Sequence, residues 1–332
     1  MKTRTIIATL VFILFWGCNQ TPRDKTSTKM SATDIAIKIP QFNADSAFNF
    51  VKAQTDFGPR VNNTKAHQKC ASYLIDKLKE YSPDVVTQTG IVTAYNGTPL
   101  QFQNIIASFG HDGNNRIILG AHWDSRPYAD HDPDETKHNI AIDGANDGAS
   151  GVGVLLEIAR QMKQTPPPIG VDIIFFDAED YGPPQDLQDN QNTGEHWGLG
   201  SQYWAANPHK TDYFAKYGIL LDMVGASGAT FLMEGVSMEY APSIVKKVWD
   251  IGNQIGYSSY FLYQRGGFVT DDHYYVIRDQ GIPMIDVIHL NQDTESGMYE
   301  HWHTVEDNIN KIDRNTLKAV GQTMLTVIYS EK

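Results

Sequence analysis

Acidic and imidazole side chains recur in six short stretches of this 332-residue sequence, at the ends of apolar runs or in the loops next to them. RIILGAH ends on His122, with Asp124 two residues on in HWDS. DGANDG carries Asp143 and Asp147 where a helical pattern is about to start. VDIIFF runs into DAED, which supplies Asp177, Glu179 and Asp180, and GILLDMV holds Asp222 inside an apolar segment. TDDHYY contributes Asp271, Asp272 and His273, and HWHTVEDN contributes His301 and His303. Taken singly, each has an ordinary structural reading: Asp147 as a helix cap, Asp222 as a hydrogen-bonded core acid, His303 as a packed histidine. Together they ask for another explanation. Carboxylates and imidazoles gathered on one rim repel or go unsatisfied unless a cation stands between them. A mixed His/Asp/Glu set suits zinc, which takes imidazole nitrogen and carboxylate oxygen at about 2.0–2.2 Å. The lack of cysteine in the set favours a catalytic centre with an open position over a closed structural one.

The elements around these stretches decide whether they can meet. Apolar periodicity predicts helices over Ala44–Gln54, Lys65–Tyr81, Gly148–Lys163, Ala241–Ile255 and Thr316–Tyr329. Short strands are predicted over Val85–Ala94, Gln103–Phe109, Arg116–His122, Ile173–Phe176, Gly218–Val224, Thr230–Met233 and Met284–Leu290. Apolar strands alternating with amphipathic helices mean an α/β domain whose mixed, mostly parallel sheet is covered on both faces. In such sheets ligands bind beyond the carboxyl ends of the strands, where all six stretches fall.

Composition narrows the partners. Twenty-seven Lys+Arg against 39 Asp+Glu give a net charge of -12, and no basic stretch is long enough for a nucleic acid. Lys2 and Arg4 precede the apolar run Ile6–Trp16, which ends in Gly17-Cys18. That pattern resembles a bacterial lipoprotein signal, although Phe15 stands where such signals prefer a smaller aliphatic residue. The expected organisation is a signal segment over 1–17, a polar tether over 18–38 after a lipidated Cys18, and a single catalytic domain over 39–332. Export to the cell envelope of a bacterium follows, with an uncleaved or differently cleaved export signal as the alternative. The other cysteine, Cys70, lies in a helical pattern and reads as a packed small hydrophobe. The acidic stretch with Asp186, Asp189 and Glu195 reads as a solvated loop ahead of a calcium site.

AHWDS, DGANDGASG, FFDAED, LLDMVG and HWHTVEDN, in this order, resemble the zinc aminopeptidase-like superfamily. TDDHYYVIRDQGIPMIDVIH followed by HWHT is similar to one branch of it, the animal-type glutaminyl cyclases and their bacterial relatives. The resemblance implies a three-layer α/β/α fold and one Zn2+ per chain held by Asp147, Asp180 and His303. It implies Glu179 as the proton carrier, Asp222 and Asp271 as a carboxylate pair behind it, and Trp302 and Trp197 as pocket aromatics. Neighbours just past a strand tend to face opposite sides, so Asp180 would turn to the metal and Glu179 to the substrate. The implied substrates are peptides and proteins with N-terminal glutamine, closed to pyroglutamate with loss of ammonia by a monomeric enzyme. Asp180 stands where the animal enzymes carry Glu. A two-zinc aminopeptidase is the alternative, with His122 and Asp222 on a second metal and Asp147 bridging. A non-catalytic binding protein on this scaffold would be expected to lack ligands, and none is missing.

Overall fold

The computed structural model describes residues 38–111, 113–188 and 195–332. The expected signal segment, Cys18, Asp189 and all but the last residue of the expected tether lie outside the described residues. Among the described residues no helix is long and apolar enough to cross a membrane.

The described residues form eight strands in chain order: β1 (Asp84–Thr93), β2 (Pro99–Phe109), β3 (Arg116–His122), β4 (Gly170–Phe176), β5 (Gly218–Asp222), β6 (Phe231–Met233), β7 (Phe261–Arg265) and β8 (Met284–Ile288). The main sheet has the order β1-β2-β4-β3-β5-β8, and β6 and β7 form a parallel pair of their own. β1, β2 and β4 pair antiparallel, whereas β4, β3, β5 and β8 run parallel. This is a mixed sheet whose parallel half carries the acid- and histidine-bearing strand ends.

Every residue of β3, β4, β5 and β8 is buried. Burial on both faces is why these strands read as unbroken apolar runs rather than alternating ones. In β4, Ile173 and Phe175 join the larger core, and Ile174 and Phe176 the smaller one on the opposite face. The larger core takes Val51, Leu74, Leu155, Val248 and Val320 from the helices Ala44–Thr55, Lys65–Tyr81, Ala149–Gln164, Pro242–Gln254 and Arg314–Ser330. The smaller takes Trp204 and Ala205 from the helix Leu199–Ala206, with Val276 from the turn after Asp272–Tyr275. The result is three layers, α/β/α.

The structure departs from the periodicity in a few places. β2 begins at Pro99, because Leu100 and Phe102 are buried and residues 99–102 continue the β1 ladder. The helices Leu199–Ala206 and Gly235–Tyr240 and the strand β7 escape the pattern. The two helices have only eight and six residues, about two turns each, and β7 is buried only at Phe261. Asp147 does not cap the helix that follows: its N-cap is Gly148 at φ 87°, with no side-chain cap bond.

That helix lies almost backbone to backbone on β5. A Cβ on Gly151 would fall 2.1 Å from the Leu221 carbonyl oxygen. The close approach brings the start of the helix, and Asp147 before it, beside Asp222 at the end of β5. Gly151→Ala should therefore destabilise the fold by about 1–3 kcal/mol, the usual cost of overpacking. Urea unfolding of the variant checks this, and an unchanged midpoint would contradict the packing.

Candidate active site

The parallel strand ends open on a cavity of about 470 Å³. Asp147, Glu179, Asp180, Asp222, Asp271 and His303 line it, and each is buried. His122, the last residue of β3, is buried against the same group.

After β4 the chain turns sharply. Ala178 adopts a left-handed conformation at φ 53°, and Asp177 stays beneath the turn. Its carboxylate accepts from the N–H groups of Ala178 and Gln103 at 2.8 and 2.6 Å and lies 2.9 Å from His67 Nε2. The next two N–H groups, of Glu179 and Asp180, both donate to Asp124, at 3.1 Å each. This left-handed turn, rather than strand alternation, directs the two side chains, and both line the cavity. Asp307 supports the other side, accepting from the N–H groups of Asn146 and Asp147 at 2.8 and 3.0 Å. Asn146 Oδ1 in turn accepts from Gly225 and Ala226, tying this loop to the one after β5.

Asp147 is the meeting point. Its Oδ1 lies 3.0 Å from His122 Nε2, which is also 3.3 Å from Asp222 Oδ1. Its Oδ2 lies 3.6 Å from His303 Nε2, which is 3.3 Å from Asp180 Oδ1. Two potential ligand groups share it: Asp147, Asp180 and His303, and His122, Asp147 and Asp222. Asp147 Oδ2 and Asp180 Oδ2 are buried with no hydrogen-bond partner. Ligands at about 2.0–2.1 Å around a tetrahedral zinc stand about 3.3 Å apart, close to the spacing in the His303 group. The donor set and its orphaned oxygens fit zinc.

The electrostatics agree. Burial holds the Asp180 carboxyl well above the carboxylate range, with Asp147 adding repulsion. Burial does the same to Glu179, where the pull of His122 is outweighed and Asp271 and Asp180 add like charge. Asp222 is pushed by burial up to about 7, and Asp271 is raised for the same reason. Burial drives His303 well below the usual imidazole value, leaving it neutral with a lone pair to offer. His122 goes the other way: burial is overcome by Asp124, Asp147 and Asp222, which shift the ring well above the usual imidazole value.

Two aromatic rings flank His303. Trp302 stacks on it at 3.7 Å between ring centroids, and Trp197 lies nearly parallel at 6.2 Å. Both line the cavity, as do the half-buried Tyr274 and Met298 and the exposed Phe268. Several acids and histidines of the six stretches lie elsewhere. His301 faces Glu300, and Asp272 and His273 are buried without lining the cavity. Glu195 reaches the rim and ion-pairs with Arg278. Asp124, counted in sequence among the gathered acids, supports the turn without lining the cavity, and Asp307, Arg126 and Asp130 stand behind the lining too. Asp124 and Asp307 follow His122 and His303 by two and four residues, and that proximity is the signal that was there to be used.

Residues 104–328 match peptidase family M28. The chain belongs to this family. On its frame the chain is similar to the crystal structure of a glutaminyl cyclase from Tannerella forsythia. The identity is 52% and the TM-score 0.85, covering 88% of this chain and 100% of that one. It is similar to the same degree to a Zn-dependent exopeptidase from Parabacteroides distasonis, at 53% identity and a TM-score of 0.86, over 88% and 100%. The glutaminyl-peptide cyclotransferase of Bos taurus is 27% identical over 280 residues, 76% of this chain and 73% of the bovine one. Both candidate ligand groups around the shared Asp147 lie within the matched residues.

Asp124 offers a test of how the turn after β4 is held. In Asp124→Asn one accepting oxygen becomes a donor facing a backbone N–H, at a cost of about 1–3 kcal/mol. Metal affinity, read by chelator competition, and turnover should fall together, since Asp180 and Glu179 lose their alignment at once. Wild-type values for both would remove Asp124 from this role.

Proposed function

We propose that this M28 chain is a glutaminyl-peptide cyclotransferase with one zinc per chain, acting on peptides and proteins that begin with glutamine. The observation that carries the reading over a two-zinc aminopeptidase is the division of Asp147. Its Oδ1 is engaged by His122 at 3.0 Å, a hydrogen-bond length shorter than the edge of a zinc tetrahedron, while its Oδ2 has no hydrogen-bond partner. His122, within 3.0 Å of Asp147 and 3.3 Å of Asp222 and shifted by them toward its charged form, would supply the positive charge that a second metal would bring. A Zn-dependent exopeptidase is as similar, but the glutaminyl cyclase of Tannerella forsythia and the bovine glutaminyl-peptide cyclotransferase together support the same choice.

Asp147, Asp180 and His303 would hold the zinc, which supplies Lewis acidity at the γ-carbonyl oxygen of the substrate glutamine. The residues of the chain do the rest. Trp302 and Trp197 wall the cavity beside His303 and enclose the aliphatic stem of the glutamine. The neutral α-amine attacks the γ-carbonyl carbon, and Glu179 accepts the proton released as the new C–N bond forms. Glu179 then returns that proton to the amide nitrogen as its bond to carbon breaks, and ammonia departs. What remains is a five-membered lactam. Asp222 and Asp271 line the same cavity as Glu179, and burial raises both carboxyls, so a proton kept on that pair would limit the negative charge that faces Glu179.

Incubating the purified domain with a Gln-initiated peptide should release one ammonia per peptide and lower the peptide mass accordingly. Release of the first residue intact would establish the aminopeptidase instead. Glu179→Gln should keep zinc near full occupancy and cut turnover by about 10²–10⁴-fold, the usual cost of losing a general acid-base group. Asp180→Asn should lose zinc as well as rate. Near-wild-type turnover in Glu179→Gln would sink the assignment.

We also propose export and lipid anchoring through Cys18, which the charged start, the short apolar run and Gly17-Cys18 support. Cys18→Ser should leave the protein in the soluble fraction or unprocessed. Mature protein that still partitions into detergent would refute the anchor.

A further inference from the structure

Arg126 and Asp130 belong to none of the roles described so far, yet both are buried beside the metal-binding group. The guanidinium forks onto Asp130, with Nε and Nη2 each 2.7 Å from a carboxylate oxygen. Its Nη1 faces Asp180, 3.2 Å from the backbone carbonyl and 3.4 Å from Oδ1. Its flat face lies 4.8 Å from the Trp197 ring. Asp130 Oδ2 also accepts from the Gln185 N–H at 2.9 Å, so the carboxylate is fixed from two sides. Its Oδ1 faces His303 Nδ1 at 3.5 Å.

The chemistry of His303 gives this contact its meaning. Nε2 is the nitrogen turned to Asp147 and Asp180, so a metal there takes the Nε2 lone pair and leaves the proton on Nδ1. That Nδ1 is buried and has no hydrogen-bond partner. Asp130 is the carboxylate placed to receive it, with a short closing movement once a metal draws the ring. The ring is also held through its backbone: His303 is left-handed at φ 54°, and its carbonyl accepts from the His131 N–H at 3.1 Å.

We propose that Asp130, clamped by Arg126, is a positioning residue of the metal site. It accepts the Nδ1 proton of His303, fixes the tautomer that presents Nε2, and raises the basicity of that nitrogen. The same guanidinium steadies the ligand Asp180 and the pocket wall Trp197, so one buried cation couples metal geometry to pocket geometry. The planar fork is needed for this, and a lysine ammonium could not span the partners. The inference rests on the reading that Asp147, Asp180 and His303 hold the metal.

The test measures zinc affinity by chelator competition in wild type, Asp130→Asn, Asp130→Ala, Arg126→Lys and His303→Ala. Outer partners of ligating histidines typically contribute about 10–100-fold in metal affinity. Asp130→Asn should fall near the lower end and Asp130→Ala near the upper. Arg126→Lys should weaken binding too, because Asp130 is no longer held. As a positioning residue off the reacting atoms, Asp130→Asn should recover turnover as free zinc is raised, with KM for the peptide little changed. Unaltered zinc affinity in both Asp130 variants, with His303→Ala losing zinc, would overturn the inference and leave the metal site standing. Zinc retained in His303→Ala would instead overturn the metal assignment beneath it. Affinity lost in Asp130→Asn with no recovery at high zinc would mean general disruption, and would overturn the positioning role.

Discussion

Five buried carboxylates, Asp147, Glu179, Asp180, Asp222 and Asp271, face one cavity. Withdrawn from water, such groups cannot all remain ionised without positive charge among them. Asp147 is where that demand is met, since it touches His122 with one oxygen and turns the other to His303. On one side stands His122, whose ring the surrounding carboxylates pull toward its charged form, and on the other a group of donors that fits a metal. Whether the charge on each side comes from the protein or from a solute determines whether the centre holds one ion or two, and with that the reaction it favours.

The fold answers this constraint with backbone rather than with more charge. Asp124 and Asp307 each take two consecutive N–H groups, fixing the segments that carry Glu179, Asp180 and Asp147. Neither touches the cavity. The tight packing of the helix Ala149–Gln164 on β5 then sets how far Asp147 stands from Asp222. Sheet, helix and loop thus act on the same few ångströms from different directions, as a preorganised site requires.

Much of this was visible in the sequence, for definite reasons. Arg116–His122 and Lys65–Tyr81 match the predicted limits, because the strand is bounded by polar turns and the helix starts on a capping Thr64. The ligand candidates were legible because their types are costly to bury and they recur at strand ends. Their supports were not. Asp124 and Asp307 look like any loop acid until the N–H groups they accept are in place. Arg126 and Asp130 form an ordinary i,i+4 pair in sequence, and only the fold brings them against His303 and Asp180. The helix Leu199–Ala206 was missed because eight residues give periodicity too little length to register.

Three residues at the site hold left-handed backbone without being glycine: Ala178, Met223 and His303, at φ 53°, 47° and 54°. Each such conformation costs on the order of 1–3 kcal/mol and persists only where surrounding contacts impose it. Against a net stability of about 5–15 kcal/mol for a typical domain, that is a sizeable sum concentrated in one place. Natural variation is thereby channelled. Side chains on these turns can be exchanged, but β-branched residues fit the left-handed region poorly, and drift that loosens the enclosing core releases the turns first. New specificities in descendants of this chain should therefore arise in the part of the cavity lined by Phe268 and Met298, where the backbone carries no such load.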